Sequence, residues 1–234
     1  MFDKRHRAAH EPIYEPVIRM ILAAASGSVS DDQLVEFIRS RDRSLQLEME
    51  SSHLLIYFLD LLLAEFAEAK FILTIRDCYS WLDSQINNQL AYIEAGHWKD
   101  FGEFKYESET RRHPKEEQVL ARFGVYTLDG YLSAWASHNQ QALAIVPADK
   151  LLVVRTGEIS RDLKTIAAFV GVPANQLSAL GAHSFKTEKK YGLMAQLDEQ
   201  YLDDRVNAHC RTLMDAHFPK LKDFKAWKLS QNRS

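Results

Sequence analysis

A run of apolar and β-branched residues, Phe71-Ile72-Leu73-Thr74-Ile75, stops at Arg76-Asp77, and helix-like sequence follows at once in KFILTIRDCYSWLDSQ, residues 70–85. A short apolar run bounded by charge fits a buried strand. The pattern recurs at KLLVVR, residues 150–155, followed by SRDLKTIAAFVGVP, a helical pattern that stops at Gly171 and Pro173. Strands that alternate with helices predict an α/β fold, a parallel sheet flanked by helices on both faces. In such sheets ligands bind at the carboxyl ends of the strands. Arg76, Ser52, His53 and Thr156 all fall just beyond expected strand ends.

The remaining segments fill in this alternation. PIYEPVIRMILAAA (12–25) reads as a helix, and Ser30-Asp31-Asp32-Gln33 fits a capping box that opens a short helix to about Arg41. SLQLEME (44–50) alternates, with Leu45, Leu47 and Met49 on one face, and is expected to be a strand. SSHLLIYFLDLLLAEFAEA (51–69) follows as a buried helix, and a further helix is expected from about Tyr79 to Gly96. HWKDFGEFKYESETRRHPKEEQ (97–118) is charged and aromatic without a clean period. Structureless stretches of that length are often functional lids, and a plain surface excursion is the other reading. Long helices are expected over about 119–145 and from about Met194 to Met214.

Hydrophobic residues make up 46% of the 234, enough for a sizeable core in one domain spanning 1–234. The net charge of −3 argues against a protein that coats nucleic acid. Cys78 and Cys210 form no CxxC, which favours a reducing compartment. The N-terminus has no apolar leader core, and the most apolar stretch, Leu54 to Phe66, carries Asp60 and Glu65 and is too short to span a bilayer. A cytoplasmic protein without membrane or nucleic-acid partners is expected. His97, His113 and His138 lack metal-ligand spacing, so no metal is expected.

An arginine at the mouth of a parallel strand, just before a helix N-terminus, makes an anion site. Its guanidinium fork matches phosphate geometry, and the helix end adds partial positive charge and N–H groups. Ser84, eight positions after Arg76, adds a hydroxyl if the ligand lies along the helix. An Arg-Asp turn with a solvated serine is the plainer alternative.

The order of segments resembles the sulfotransferases that use 3′-phosphoadenosine-5′-phosphosulfate (PAPS), of the bacterial and carbohydrate type. In that family a strand ends in Arg, and a Ser eight residues later shares the 3′-phosphate; Arg76 and Ser84 match in type and spacing. LLVVRTGEISRDLKTIAAFVGVP (151–173) is similar to the family's later strand-helix segment, with Phe169-Val170-Gly171 in place of Phe-Leu-Gly. HSFKTEKKYG (183–192) is similar to the segment that follows, where Thr-Ser-Phe meets the adenine and basic residues reach the 3′-phosphate. Ser184 and Phe185 match, His183 departs, and Lys189 and Lys190 are loosely placed.

The resemblance implies a three-layer, P-loop-nucleotide-hydrolase-like sulfotransferase fold. It also implies transfer of a sulfuryl group from PAPS to a hydroxyl or amine, with 3′-phosphoadenosine-5′-phosphate (PAP) as product. A general base is needed. AAHEP (8–12) is similar to the Glu-Pro after the first helix in carbohydrate-type members, which offers Glu11 with His10 beside it. ESSH (50–53) falls where cytosolic members carry Lys-Thr-His, which offers His53. A histidine serves near its own pKa, whereas a glutamate needs its pKa raised by burial. Either side chain has a plain structural alternative: a helix cap for His10-Glu11-Pro12, a satisfied core histidine for His53.

The family normally opens with a strand and a glycine-rich loop for the 5′-phosphosulfate, of the type Pro-Lys/Arg-Ser-Gly-Thr-Thr. None of the nine glycines sits in such a loop, and by the family pattern the chain begins about a dozen residues late. A shortened enzyme of reduced activity, or a non-catalytic module that binds nucleotide or protein, is then expected. Loss of a central strand would expose apolar edges for neighbours or a second copy to cover. The expected partner is otherwise a small-molecule or carbohydrate acceptor.

Overall fold

The computed structural model describes residues 6–92, 96–107, 112–178 and 190–231. Four short strands are present among them: β1 (Ala8–His10), β2 (Met49–Ser51), β3 (Phe71–Ile75) and β4 (Leu151–Arg155). They pair in parallel as two two-stranded ladders, β1 with β2 and β3 with β4. Helices account for most of the rest. In chain order they are α1 (Tyr14–Ala25), α2 (Asp31–Leu45), α3 (Leu59–Glu65), α4 (Cys78–Ala91), α5 (His97–Lys105), α6 (Gln118–Arg122), α7 (Leu128–Ile145), α8 (Leu163–Val170), α9 (Glu199–His209), α10 (Arg211–His217) and α11 (Phe224–Gln231). The class is α/β, with parallel strands flanked by helices, as the alternation of segments requires. No helix among the described residues is long and apolar enough to cross a membrane.

Packing divides the chain into two compact units, Met1–Ile75 with Gln141–Phe185, and Arg76–Gln140 with Lys186–Ser234. All four strands belong to the first unit. In the β3–β4 ladder Phe71 opposes Leu151 and Ile75 opposes Arg155. Beneath it Val154, Ile159, Ile166, Ala167 and Leu177 form one apolar cluster, joined by Ile72, Leu152, Leu163 and Val172. The α8 helix ends as expected: Gly171 takes φ +83°, the left-handed cap that costs a side-chain-bearing residue most. The capping box at Ser30 forms with both reciprocal bonds, so α2 begins where the sequence predicts.

The other end of α2 differs. It runs on to Leu45, Gln46 turns left-handed at φ +47°, and only Met49–Ser51 is strand. The expected alternation is visible in burial, with Leu45, Leu47 and Met49 half-buried and Ser44, Gln46 and Glu48 exposed. The strand is short because its partner β1 offers only three residues, beginning at Ala8 opposite Met49. The expected helix over 51–69 opens instead as a 3₁₀ turn, His53–Phe58, before α3.

In the second unit α4 stops at Ala91 rather than Gly96. The segment 97–118 is not structureless, because α5 occupies its first nine residues. The long helix expected over 119–145 is two helices, α6 and α7. Gly124 takes φ +68° between them, and Glu117 starts α7 by accepting the Leu128 N–H at 3.0 Å. The expected C-terminal helix is likewise split into α9 and α10 at Cys210. Tyr79, Leu82 and Ile86 bury one face of α4, and Phe224 stacks on Trp227 at 5.2 Å beside Tyr79.

Candidate functional site

The first group of residues stands where β1 and β2 end. Their parallel register places His10 opposite Ser51, and the Glu11 N–H continues the ladder to the Ser51 carbonyl at 2.9 Å. Glu11 and His53 therefore leave neighbouring strands together. Their side chains meet: His53 Nδ1 lies 2.6 Å from Glu11 Oε1. The sequence offered these residues as alternative bases, and the fold makes them a pair. His10 stands beside them, its Nδ1 3.4 Å from Ser51 Oγ and its Nε2 4.0 Å from Glu11 Oε2.

The backbone around Glu11 is unusual. Glu11 and Ile13, on either side of Pro12, both adopt φ +46°. Left-handed conformations of residues that carry a Cβ cost free energy and persist only where surroundings over-determine them. Arg41 of α2 is part of that surround. Its Nη2 is 3.5 Å from the Pro12 carbonyl and also ion-pairs with Glu50 of β2. The Arg41 and Glu50 side chains are only 9% and 13% exposed, so the pair is largely desolvated.

Burial by itself would raise the Glu11 pKa, but the hydrogen bond from His53 and the charges of His53 and His10 outweigh it, and the net shift is downward from 4.5. Glu11 is thus held as a carboxylate facing an imidazole. The condition that would make it a proton acceptor near neutral pH, a raised pKa, is not met.

The second group lies on α4. Asp77 caps this helix by accepting the Ser80 N–H at 2.8 Å, and the Cys78 N–H points to Met214 Sδ at 3.4 Å. Two of the donors at the helix start are therefore already used. Arg76, the residue after β3, is exposed, and its carbonyl accepts from Trp135 Nε1 at 3.1 Å. Among the described residues neither the Arg76 guanidinium nor the Ser84 hydroxyl has a hydrogen-bond or ion-pair partner. Ser84 is half-buried about 9 Å along the axis from Cys78, given the helical rise. Asp77, Trp81, Ser84 and Asn88 recur at i, i+4, i+7 and i+11 and so share the outward face, opposite Tyr79, Leu82 and Ile86.

Lys190 returns to the same helix, its Nζ paired with Asp83 and the next residue's N–H bonded to Asn87 Oδ1 at 2.7 Å. Ser184, Phe185 and Lys189 lie outside the described residues.

In the first unit the parallel strands β1 and β2 end in a Glu–His pair, and in the second unit α4 follows Arg76 and carries Ser84, two groups with no partner among the described residues. A sulfotransferase domain family model matches residues 49–178, more than half of the chain, and the chain belongs to that family. The match includes His53, Arg76 and Ser84; Glu11, His10 and Lys190 fall outside it. No curated protein matches the sequence.

The pairing of Arg41 with Glu50 is not visible in the sequence, nor is the strand that leads into Glu11. A three-residue strand such as Ala8–His10 has too few positions to show a period, and only its register with β2 reveals it.

Proposed function

We propose that this protein transfers the sulfuryl group of PAPS to a hydroxyl or amine of a small-molecule or carbohydrate acceptor, leaving PAP. The observation that carries this reading is the outward face of α4. Within a sulfotransferase domain, Arg76 and Ser84 have no partner among the described residues. A 3′-phosphate laid along that face would receive the guanidinium fork and the serine hydroxyl. Side chains have to do most of this, since the Cys78 and Ser80 N–H groups donate elsewhere.

PAPS supplies the electrophilic sulfur and a leaving group on whose bridging oxygen charge builds. The chain's part is to move the acceptor's proton. His53 has Nδ1 turned to Glu11, and in this reading its other ring nitrogen, Nε2, takes the proton. Glu11, kept ionised, fixes the tautomer and stabilises the imidazolium that forms. The lowered Glu11 pKa favours this division of roles over a glutamate base.

The test is PAP release from PAPS over a panel of hydroxyl and amine acceptors. His53→Asn is expected to lose turnover about 10²–10⁴-fold, the usual range for a lost general base, while PAP binding is kept. Full activity in a folded His53→Asn protein would return the role to Glu11 or to another group. PAP binding with no turnover on any acceptor would favour a nucleotide-binding module.

A further inference from the structure

The turn that carries Glu11 departs twice from what its residue types prefer. Glu11 precedes Pro12, and a proline pushes the residue before it toward extended backbone, yet Glu11 takes φ +46°. Ile13, on the other side of Pro12, takes the same φ, a rare conformation for a β-branched residue. Such a turn relaxes unless both of its ends are fixed. One end is fixed by the ladder, where the Glu11 N–H donates to the Ser51 carbonyl at 2.9 Å. The other end is the peptide between Pro12 and Ile13, whose carbonyl accepts from Arg41 Nη2 at 3.5 Å. The Pro12 ring locks its own φ at about −65°, so holding that peptide holds the direction in which the chain leaves Glu11. Arg41 itself makes no hydrogen bond or ion pair with Glu11 or His53 among the described residues.

We propose that Arg41 is a positioning residue for the Glu11–His53 pair, acting through the Pro12 carbonyl; this rests on the reading of that pair as the proton-transfer group. Arg41 can hold a backbone group because it is itself held. Its ion-pair partner Glu50 lies on β2 opposite Ala9, two residues before Glu11. The guanidinium therefore links the ladder to the turn that leaves it. This arrangement is not one that stability alone selects. Arg41 Nε is buried with no hydrogen-bond partner among the described residues, and an unmade buried hydrogen bond costs stability. Apolar side chains in place of both Arg41 and Glu50 avoid that cost and the desolvation of two charges. What they lack is a donor for the Pro12 carbonyl. The contact of 2.6 Å between Glu11 and His53 tolerates little displacement, and misplacing a catalytic group by about 1 Å slows a reaction on the order of 10²-fold.

The test compares wild type, the double variant Arg41→Met with Glu50→Met, Arg41→Lys, and His53→Asn in the whole chain. Three quantities are read: urea unfolding, kcat and KM for PAP release from PAPS, and the titration of the Glu11 carboxyl followed by carbon NMR. The double variant leaves no unpaired charge and is expected to unfold at about the urea concentration of wild type. Its kcat is expected to fall about 10- to 100-fold, with KM for the acceptor within about twofold of wild type. Its Glu11, loosened from His53, is expected to titrate higher than in wild type, because burial then acts with less opposition. His53, His10 and burial set the Glu11 pKa, and neither Arg41 nor Glu50 contributes, so a changed titration reports position. Arg41→Lys keeps a cation for Glu50 without the fork that serves two acceptors, and is expected to show both changes more weakly. Wild-type kcat and wild-type Glu11 titration in the folded double variant would overturn the role of Arg41 and leave the pair standing. A change in only one of the two would overturn it as well, by separating the rate from the position of Glu11. If His53→Asn turns over like wild type, or folded wild type releases no PAP with any acceptor, the proton-transfer reading falls and the role of Arg41 with it.

Discussion

The strand-end turn at Glu11 and the outward face of α4 use charged residues in opposite ways. At the turn, charges are paired within the protein: Glu11 with His53, and Arg41 with Glu50 and near the Pro12 carbonyl. At α4, the exposed Arg76 just before the helix and Ser84 on its outward face have no partner among the described residues. Proton transfer benefits from a base whose tautomer and orientation are set before substrate arrives, and that requires an internal partner. Capture of an anion requires donors whose strongest partner is the ligand. The strained turn and its desolvated ion pair are thus expected to matter for both stability and turnover, and the α4 face for affinity alone.

The largest effect expected is on turnover. His53→Asn should reduce it about 10²–10⁴-fold with PAP affinity retained, and a rate assay beside a PAP titration separates the two. Next comes stability at the closed turn. Arg41→Met leaves the Glu50 carboxylate buried without its cation and should cost about 3–5 kcal/mol in urea unfolding, the range for breaking a buried pair from one side. A loss within about 0.5 kcal/mol, the size of ordinary surface substitutions, would mean that water already reaches this pair. Arg76→Ala should show the reverse profile: stability within about 0.5 kcal/mol of wild type, and PAP affinity lowered by about 1.5–3 kcal/mol. Ser84→Ala, a neutral hydroxyl, should cost about 0.5–1.5 kcal/mol of PAP affinity.

The smallest effect is that of acid on the turn. The folded pKa of Glu11 is lowered, so its contribution to stability is complete above the unfolded value near 4.5 and is lost as pH falls through the folded value. Glu11→Gln should flatten that part of the stability profile. An unchanged profile would show that the dyad adds little to folding.

Legibility in the sequence followed length and locality. β3 and β4, with the helices after them, were readable because each is a five-residue apolar run closed by charge, and Gly171 and the Ser30–Gln33 box are local signals with local causes. Three kinds of feature were not readable. β1 is defined by a partner some forty residues away, not by its own pattern. The break between α6 and α7 depends on Glu117 reaching Leu128, a contact across eleven positions. The helix α5 is hidden because its Trp98, Phe101 and Phe104 recur every third residue and so blur a helical period.

The same limit applies to function. Arg76 and Ser84 could be singled out together because they share one strand-helix segment. The union of Glu11 with His53 could not, because it depends on two short strands running side by side. Residue types at a strand end suggested the chemistry, and the parallel register decided which groups could act as one.

The most direct measurement is calorimetric titration of folded wild type and Arg76→Ala with PAP, each repeated with adenosine 5′-phosphate. An α4 face built for the 3′-phosphate predicts that wild type prefers PAP and that Arg76→Ala loses most of that preference while its binding of adenosine 5′-phosphate is unchanged. A wild type that binds the two nucleotides equally, or an Arg76→Ala protein that keeps the preference, would contradict it.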